Sequence, residues 1–254
     1  MSASAPQPVP APAMGENPPS IASRILNIFF APTKVFSDIN RRPAWIVPFL
    51  IIALFSVVFS VAVDMQIGFE KVSENQIKLN PKAAERMERA SPEQRAQQMA
   101  VSVIVTKVIS YGFPVLMLAM YAIIAAVMLG TFNFGMGAQI RYGVAFAVIV
   151  YSALPGILKT VLATVSLFAG VDPDGFIIQN PVATNPAVLV DITTHPILYS
   201  LAASFDIFQI WTLVLAGIGF SCVSKVKRGT AMATVFGWYF AFTLGSVGIS
   251  ALFM

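Results

Sequence analysis

An all-α membrane protein is the fold class the sequence predicts: a polytopic helical bundle of about five transmembrane helices with an interfacial N-terminal helix. Three observations lead there. Hydrophobic residues make up 57% of the chain and charged residues only 11%, whereas about a quarter of a soluble domain is charged. The apolar residues fall in runs of about twenty, the length a helix needs to cross hydrocarbon. Lys and Arg gather at the ends of those runs, where they set orientation. A nucleic-acid partner would need them together on a polar surface, so none is expected; the lipid bilayer is.

Residues 1–19, rich in Pro, Ala and Ser and without apolar periodicity, read as a disordered tail. They lack the basic start and apolar core of a signal peptide. Residues 20–254 read as one membrane domain. Behind a Ser20 N-cap, Ile21, Ile25, Ile28 and Phe29 share one helical face, opposite Ser23, Arg24 and Asn27. That pattern fits a helix lying among the headgroups, the alternative being a helix packed on a soluble core. Pro32 interrupts it, and 33–42 form a second short helix.

The first span covers 44–63, with Arg41, Arg42 and Trp45 as its interface anchor and Asp64 at its end. Loop 64–100 mixes charges evenly and holds two helix starts, Asn80-Pro81 and Ser91-Pro92. It reads as a solvated helical hairpin whose second helix runs on into span two, 108–129, with Pro114 near that span's start. A tight connection, 130–140, leads to span three, 143–168. Loop 170–204 carries turn signals at Asp172-Pro173-Asp174-Gly175, Asn180-Pro181, Asn185-Pro186 and His195-Pro196, and 197–203 read as lying on the membrane surface. Spans four and five, 205–223 and 231–253, are joined by a turn bearing Lys225, Lys227 and Arg228.

Arg24, Lys34, Arg41, Arg42, Arg141, Lys225, Lys227 and Arg228 would all lie at one end of such a bundle. Loop 170–204 has Asp172, Asp174 and Asp191 but no Lys or Arg. The positive-inside rule then puts the N-terminus in the cytoplasm and the C-terminus outside. Loop 64–100 argues the other way with six basic residues, most of them remote from the spans.

Span three holds Pro155 and Lys159 near its middle, and a lysine in hydrocarbon costs about 2.5–3.5 kcal/mol on insertion scales. On a helical wheel Ser152, Pro155, Gly156, Lys159, Ala163 and Ser166 form a small, polar face directed into the bundle. Val150, Leu154, Ile157, Val161, Val165 and Phe168 form a lipid-like one. Packing stripes of small residues are also read at Ala119, Ala122, Ala126 and Gly130, and at Thr234, Gly237, Ala241, Gly245 and Gly248. Asp206, Gln209, Thr212, Ala216 and Gly219 share a broader arc of span four. Lys159 and Asp206 are then separated by about 10 Å of depth, of which a lysine stem spans about 6 Å. Three readings stay open: a direct or water-bridged pair with Asp206, snorkelling to the headgroups, and handling of a ligand or ion. Ser152, Pro155 and Gln209 join them as polar or helix-breaking residues of the bundle interior.

No catalytic, cofactor or metal site is read. The chain has a single His, His195, beside a proline in a loop, and a single Cys, Cys222, in an apolar run; no HExxH, P-loop or GxSxG motif occurs. Asp172 and Asp174 fall short of a calcium loop. The expectation is a protein that is not an enzyme.

Segments 31–51, 91–99, 141–158 and 204–231, above all the YSALP run and the DIFQIW run from Asp206 to Trp211, resemble the Yip family of Ypt/Rab-interacting membrane proteins, most closely its prokaryotic branch. The resemblance covers about residue 25 onward. It implies a five-span bundle with a cytoplasmic N-terminus, here in a prokaryotic cytoplasmic membrane. Eukaryotic relatives are associated with Rab GTPases and membrane traffic; a DLYGP-type N-terminal motif is not found here. Pro155 and Asp206 match motif positions without an assigned role. The leading expectation is a membrane protein that organises or scaffolds membrane or partner proteins, as a homo-oligomer or with other membrane proteins. The alternative is a small transporter or channel subunit using Lys159 and Asp206.

Overall fold

The computed structural model describes residues 20–253, which are helices and connections without a strand; the tail expected at 1–19 lies outside them. In chain order the helices are α1 (Ile21–Phe30), α2 (Pro32–Arg41), α3 (Ile46–Gln66), α4 (Phe69–Lys78), α5 (Pro81–Arg89), α6 (Pro92–Gly130), α7 (Tyr142–Ser152), α8 (Pro155–Phe168), α9 (Pro196–Ala203), α10 (Ile207–Ser224) and α11 (Arg228–Phe253). Five are long and apolar enough to cross a membrane among the described residues: α3, α6 with its π-helical continuation Thr131–Gly135, the α7–α8 pair, α10 and α11.

Local chemistry sets the boundaries. Ser20 caps α1 by accepting from the Ser23 amide, and Asn80 caps α5 by accepting from Ala83. Ser91 and Gln94 close a reciprocal capping box on α6. With 39 residues α6 is about 58 Å long, nearly twice the ~30 Å of bilayer hydrocarbon, so its first turns stand clear of the membrane. Pro114 sits inside it, and the helix continues through. At the far end Asn133 bonds both the carbonyl and the amide of Ile140 at 2.9 Å, pinning the short return to α7.

The centre of the bundle is α7. Every residue from Val144 to Ser152 is buried, because α2, α3, α6 and α10 all pack around it. A close approach makes this possible. A Cβ at Gly219 of α10 would lie 2.6 Å from Val148 Cγ1 and 2.9 Å from Phe36 Cε1, so three helices meet where a side chain has no room. Phe132 stacks on Phe220 with ring centroids 4.9 Å apart, tying α6 to α10.

Several expectations are corrected. Span three is two helices, broken at Ala153 and Leu154, where Pro155 has no amide to offer the preceding turn. The inward face holds for α8: Pro155 and Ala163 are buried while Val161, Val165 and Phe168 are exposed. The lipid-like face fails in α7, where Val150 and Leu154 are wholly buried. Ala119 and Ala126 of α6 are exposed, and Ala125 and Met128 face inward in their place. In α11, Gly237, Ala241, Gly245 and Gly248 are exposed, and among the described residues nothing lies within 4 Å of a Cβ built at these three glycines. The polar back of α1 is not outward either: Arg24 is buried with Ile28, whereas Leu26 and Phe30 are exposed.

Both ends of the bundle are fastened by side chains. At one end Arg141 donates to Asn40 O and Arg228 to Thr33 Oγ1, each at 3.1 Å. These bonds hold the α2 cap against the 136–141 and 225–228 turns. At the other, the α4 part of loop 64–100 is less solvated than expected. Phe69, Val72, Ser73 and Asn75 of α4 are buried. The Asn75 amide donates to Pro173 O at 2.8 Å and Phe176 O at 3.1 Å, and Lys71 pairs with Asp174 and Glu74. α5, with no buried residue, and the exposed first turns of α6 at 92–98 fit the solvated reading.

Candidate functional site

Asp206 ends the long 170–204 loop and begins α10. Its extended backbone (φ −70°, ψ 134°) leaves the first amides of the helix open, and its Oδ1 accepts from Phe208 N at 3.0 Å and Gln209 N at 3.2 Å. The second oxygen, Oδ2, is turned toward the bundle. Lys159 Nζ lies 2.9 Å from it, Asn185 Nδ2 donates to it at 3.4 Å, and the Thr184 hydroxyl donates to it as well. The carboxylate side chain is 4% exposed and the lysine 27%. One buried anion thus collects a cation from α8, two side chains from the loop and two amides of its own helix. The positive end of the α10 dipole adds to this field.

Pro155 takes the first position of α8, and Lys159 follows one turn later on the same inward side. The depth gap estimated from the sequence is closed in the structure, where the two side chains touch. Sequence reasoning missed Thr184 and Asn185, which lie about twenty residues before Asp206 along a loop. Asn185 and Asn180 bond each other through both amides, and Asn180 also donates to Tyr199 of α9 at 2.9 Å. The network runs from α8 through α10 into the 170–204 loop and α9.

Ser152 and Gln209 do not join it. Both face a separate crevice of about 410 Å³ between α6, the α7–α8 break, α10 and α11. Ser152 is 1% exposed, and its hydroxyl has no hydrogen-bond partner.

A second polar cluster was also missed. Arg24 Nε lies 2.6 Å from Asp38 Oδ2, and Arg24 donates through NH1 to Arg42 O at 3.0 Å. The buried Tyr151 donates to Ala44 O nearby at 3.1 Å. The signal was available: an arginine inside the apolar run IASRILNIFF, with an acid in the helix folded back across Pro32. Among the described residues no three His, Cys, Asp or Glu side chains come together as a metal site. Cys222 is half-buried and unbridged.

These features define an integral membrane protein: a helical bundle whose buried charges Arg24 and Asp206 are each met by an ion-pair partner on another element. The Yip1 domain family model matches residues 26–251, nearly the whole chain, and the protein belongs to that family. Curated proteins yielded no match, and solved structures yielded none.

Proposed function

We propose that this Yip-family membrane protein is non-enzymatic and acts by organising or scaffolding membrane or partner proteins. The observation that carries the reading is the closed Lys159–Asp206 cluster. A transport path needs charges free to meet a passing ion. Here the carboxylate is surrounded by five donors from its own chain, an arrangement suited to locking α8, α10 and the outer loop together. Exposed small residues on α11 and exposed Leu26 and Phe30 on α1 leave surfaces for neighbours in the plane of the membrane. Residues 20–254 act as one domain. The N-terminus is cytoplasmic and the C-terminus external, a reading supported by the gathering of Arg141, Arg228 and the α2 cap at one end.

A small transporter or channel subunit is the second reading, favoured by the broken α7–α8 span, since discontinuous helices near mid-membrane build many transport sites. The experiment is purification of the full chain in native lipid with partner crosslinking, followed by flux assays in liposomes. Crosslinks to itself or to other membrane proteins, with no solute-selective flux, are expected. Selective flux abolished by Lys159→Met would overturn the scaffold reading.

A further inference from the structure

The crevice between α6 and α11 has a floor and a rim of different character. Its rim is exposed on the bundle's outer surface, with Ile123 57% and Phe242 66% exposed. Its floor is buried and includes Ser152, and its lining also takes in Gln209 and Thr212 of α10. Among the described residues no Asp, Glu, Lys or Arg lines it. Trp238 Nε1 donates to Thr131 Oγ1 at 3.0 Å and links the two helices toward the basic end. Ser152 closes the 11 residues of α7, about 16 Å above that end, which is mid-bilayer.

The Ser152 hydroxyl is the telling group. A helical Ser or Thr in hydrocarbon ordinarily bonds the carbonyl one turn back. Thr160, Thr164 and Thr234 do so here at 2.8–3.0 Å, and Ser60 reaches Ser56 O and, across helices, Ser110 O. Ser152 is more deeply buried than these and, among the described residues, is the one fully buried side-chain hydroxyl with no partner. A polar group left so costs stability unless something else meets it.

We propose that this crevice binds an uncharged lipid of the surrounding bilayer, one whose carbonyl or hydroxyl reaches mid-membrane and bonds Ser152. A phospholipid cannot place a polar group there, because its charged headgroup stays at the interface. An uncharged head loses only its hydrogen bonds on entering hydrocarbon, and Ser152, Gln209 and Thr212 restore them. The volume of about 410 Å³ falls within the ordinary range of small-molecule sites. This site is independent of the Lys159–Asp206 cluster and of the scaffold reading.

The test uses the full chain in phosphatidylcholine nanodiscs with two photoactivatable probes: a diacylglycerol bearing a diazirine and an alkyne on one acyl chain, and a phosphatidylcholine bearing the same chain. Peptides of the crevice are expected to be labelled several-fold more by the diacylglycerol. Ser152→Ala is expected to lower that labelling by roughly three- to tenfold, the worth of one hydrogen bond, without lowering the unfolding temperature of the lipid-free protein. Ile123→Trp, at the exposed rim, narrows the mouth and is expected to lower it too. Equal labelling by the two probes, or labelling unchanged in both variants, overturns the proposal. So does a crevice crosslinked mainly to another protein segment, whether a second copy or a partner.

Discussion

Lys159→Met isolates the lock where α8 and α10 meet the 170–204 loop. The substitution keeps the stem's volume and removes the cation 2.9 Å from Asp206 Oδ2. Breaking a fully buried pair costs about 3–5 kcal/mol because a charge is left uncompensated. Here Lys159 is partly exposed, and four other donors remain on the carboxylate, so the expected cost is about 1–3 kcal/mol. Asp206→Asn keeps an N-cap oxygen for Phe208 and Gln209 but strands the lysine, at about 1–2 kcal/mol. The double variant then leaves neither charge unpaired and should cost less than the sum by about 1–2 kcal/mol. Thermal or chemical unfolding of all four proteins in the same lipid gives the coupling. Strict additivity would refute the pair as a stabilising contact, and a Lys159→Met protein as stable as the parent would refute the lock altogether.

Three further outcomes follow from the packing. Gly219→Val drives methyl groups into Val148 and Phe36 and is expected to destabilise by about 1–3 kcal/mol. Gly237→Val, where a Cβ meets nothing within 4 Å, should leave the unfolding temperature of the monomer nearly unchanged; equal losses at both positions would contradict the central place of α10. Arg24→Met leaves Asp38 without its cation beside buried Tyr151 and is expected to cost about 2–4 kcal/mol, read by unfolding and by proteolysis of the 20–42 segment. The clasp between α4 and the 170–204 loop depends on pH. Hydrogen bonds from Lys71 hold the Asp174 pKa below its ordinary value, those from Lys78 and Lys71 do the same for Glu74, and the bond to Asp174, then that to Glu74, raises Lys71. Lowered carboxylate pKa values give stability that is present above the ordinary carboxylate range and lost as pH falls through the folded values. The raised lysine loses its share only as pH climbs above about 10.5. Hydrogen exchange of 69–78 and 171–178 should therefore be constant from pH 5 to 9 and accelerate, after correction for intrinsic rates, below pH 4.

The fold was legible because long apolar runs and terminal charges have few other physical meanings. Which way each helix faces was only partly legible, for one reason: lipid tails and protein interiors are both apolar. Lys159 could be placed because a charge distinguishes the two. Val150 and Leu154 could not, since nothing in their chemistry tells lipid from the flanks of α2 and α10. The same ambiguity turned the glycine stripe of α11 inward in the sequence reading and outward in the structure. At the site, Asp206 stood out as an acid at the edge of an apolar run, but its role as the α10 cap and its loop partners did not. Thr184 and Asn185 look like any polar turn residues until the chain folds back between α9 and α10.

The docking of α2 onto α7 and α10 also constrains how the protein is made. Phe36 leaves the ribosome early, yet the glycine it packs against, Gly219, is 219 − 36 = 183 residues later. At about 5–20 residues per second of synthesis, that interval is roughly ten to forty seconds. Throughout it Val35, Phe36 and Ile39 lack the part of their cover that α10 supplies. The fourth span must be inserted before the N-terminal cap can close, so the first helices made are among the last to find their place.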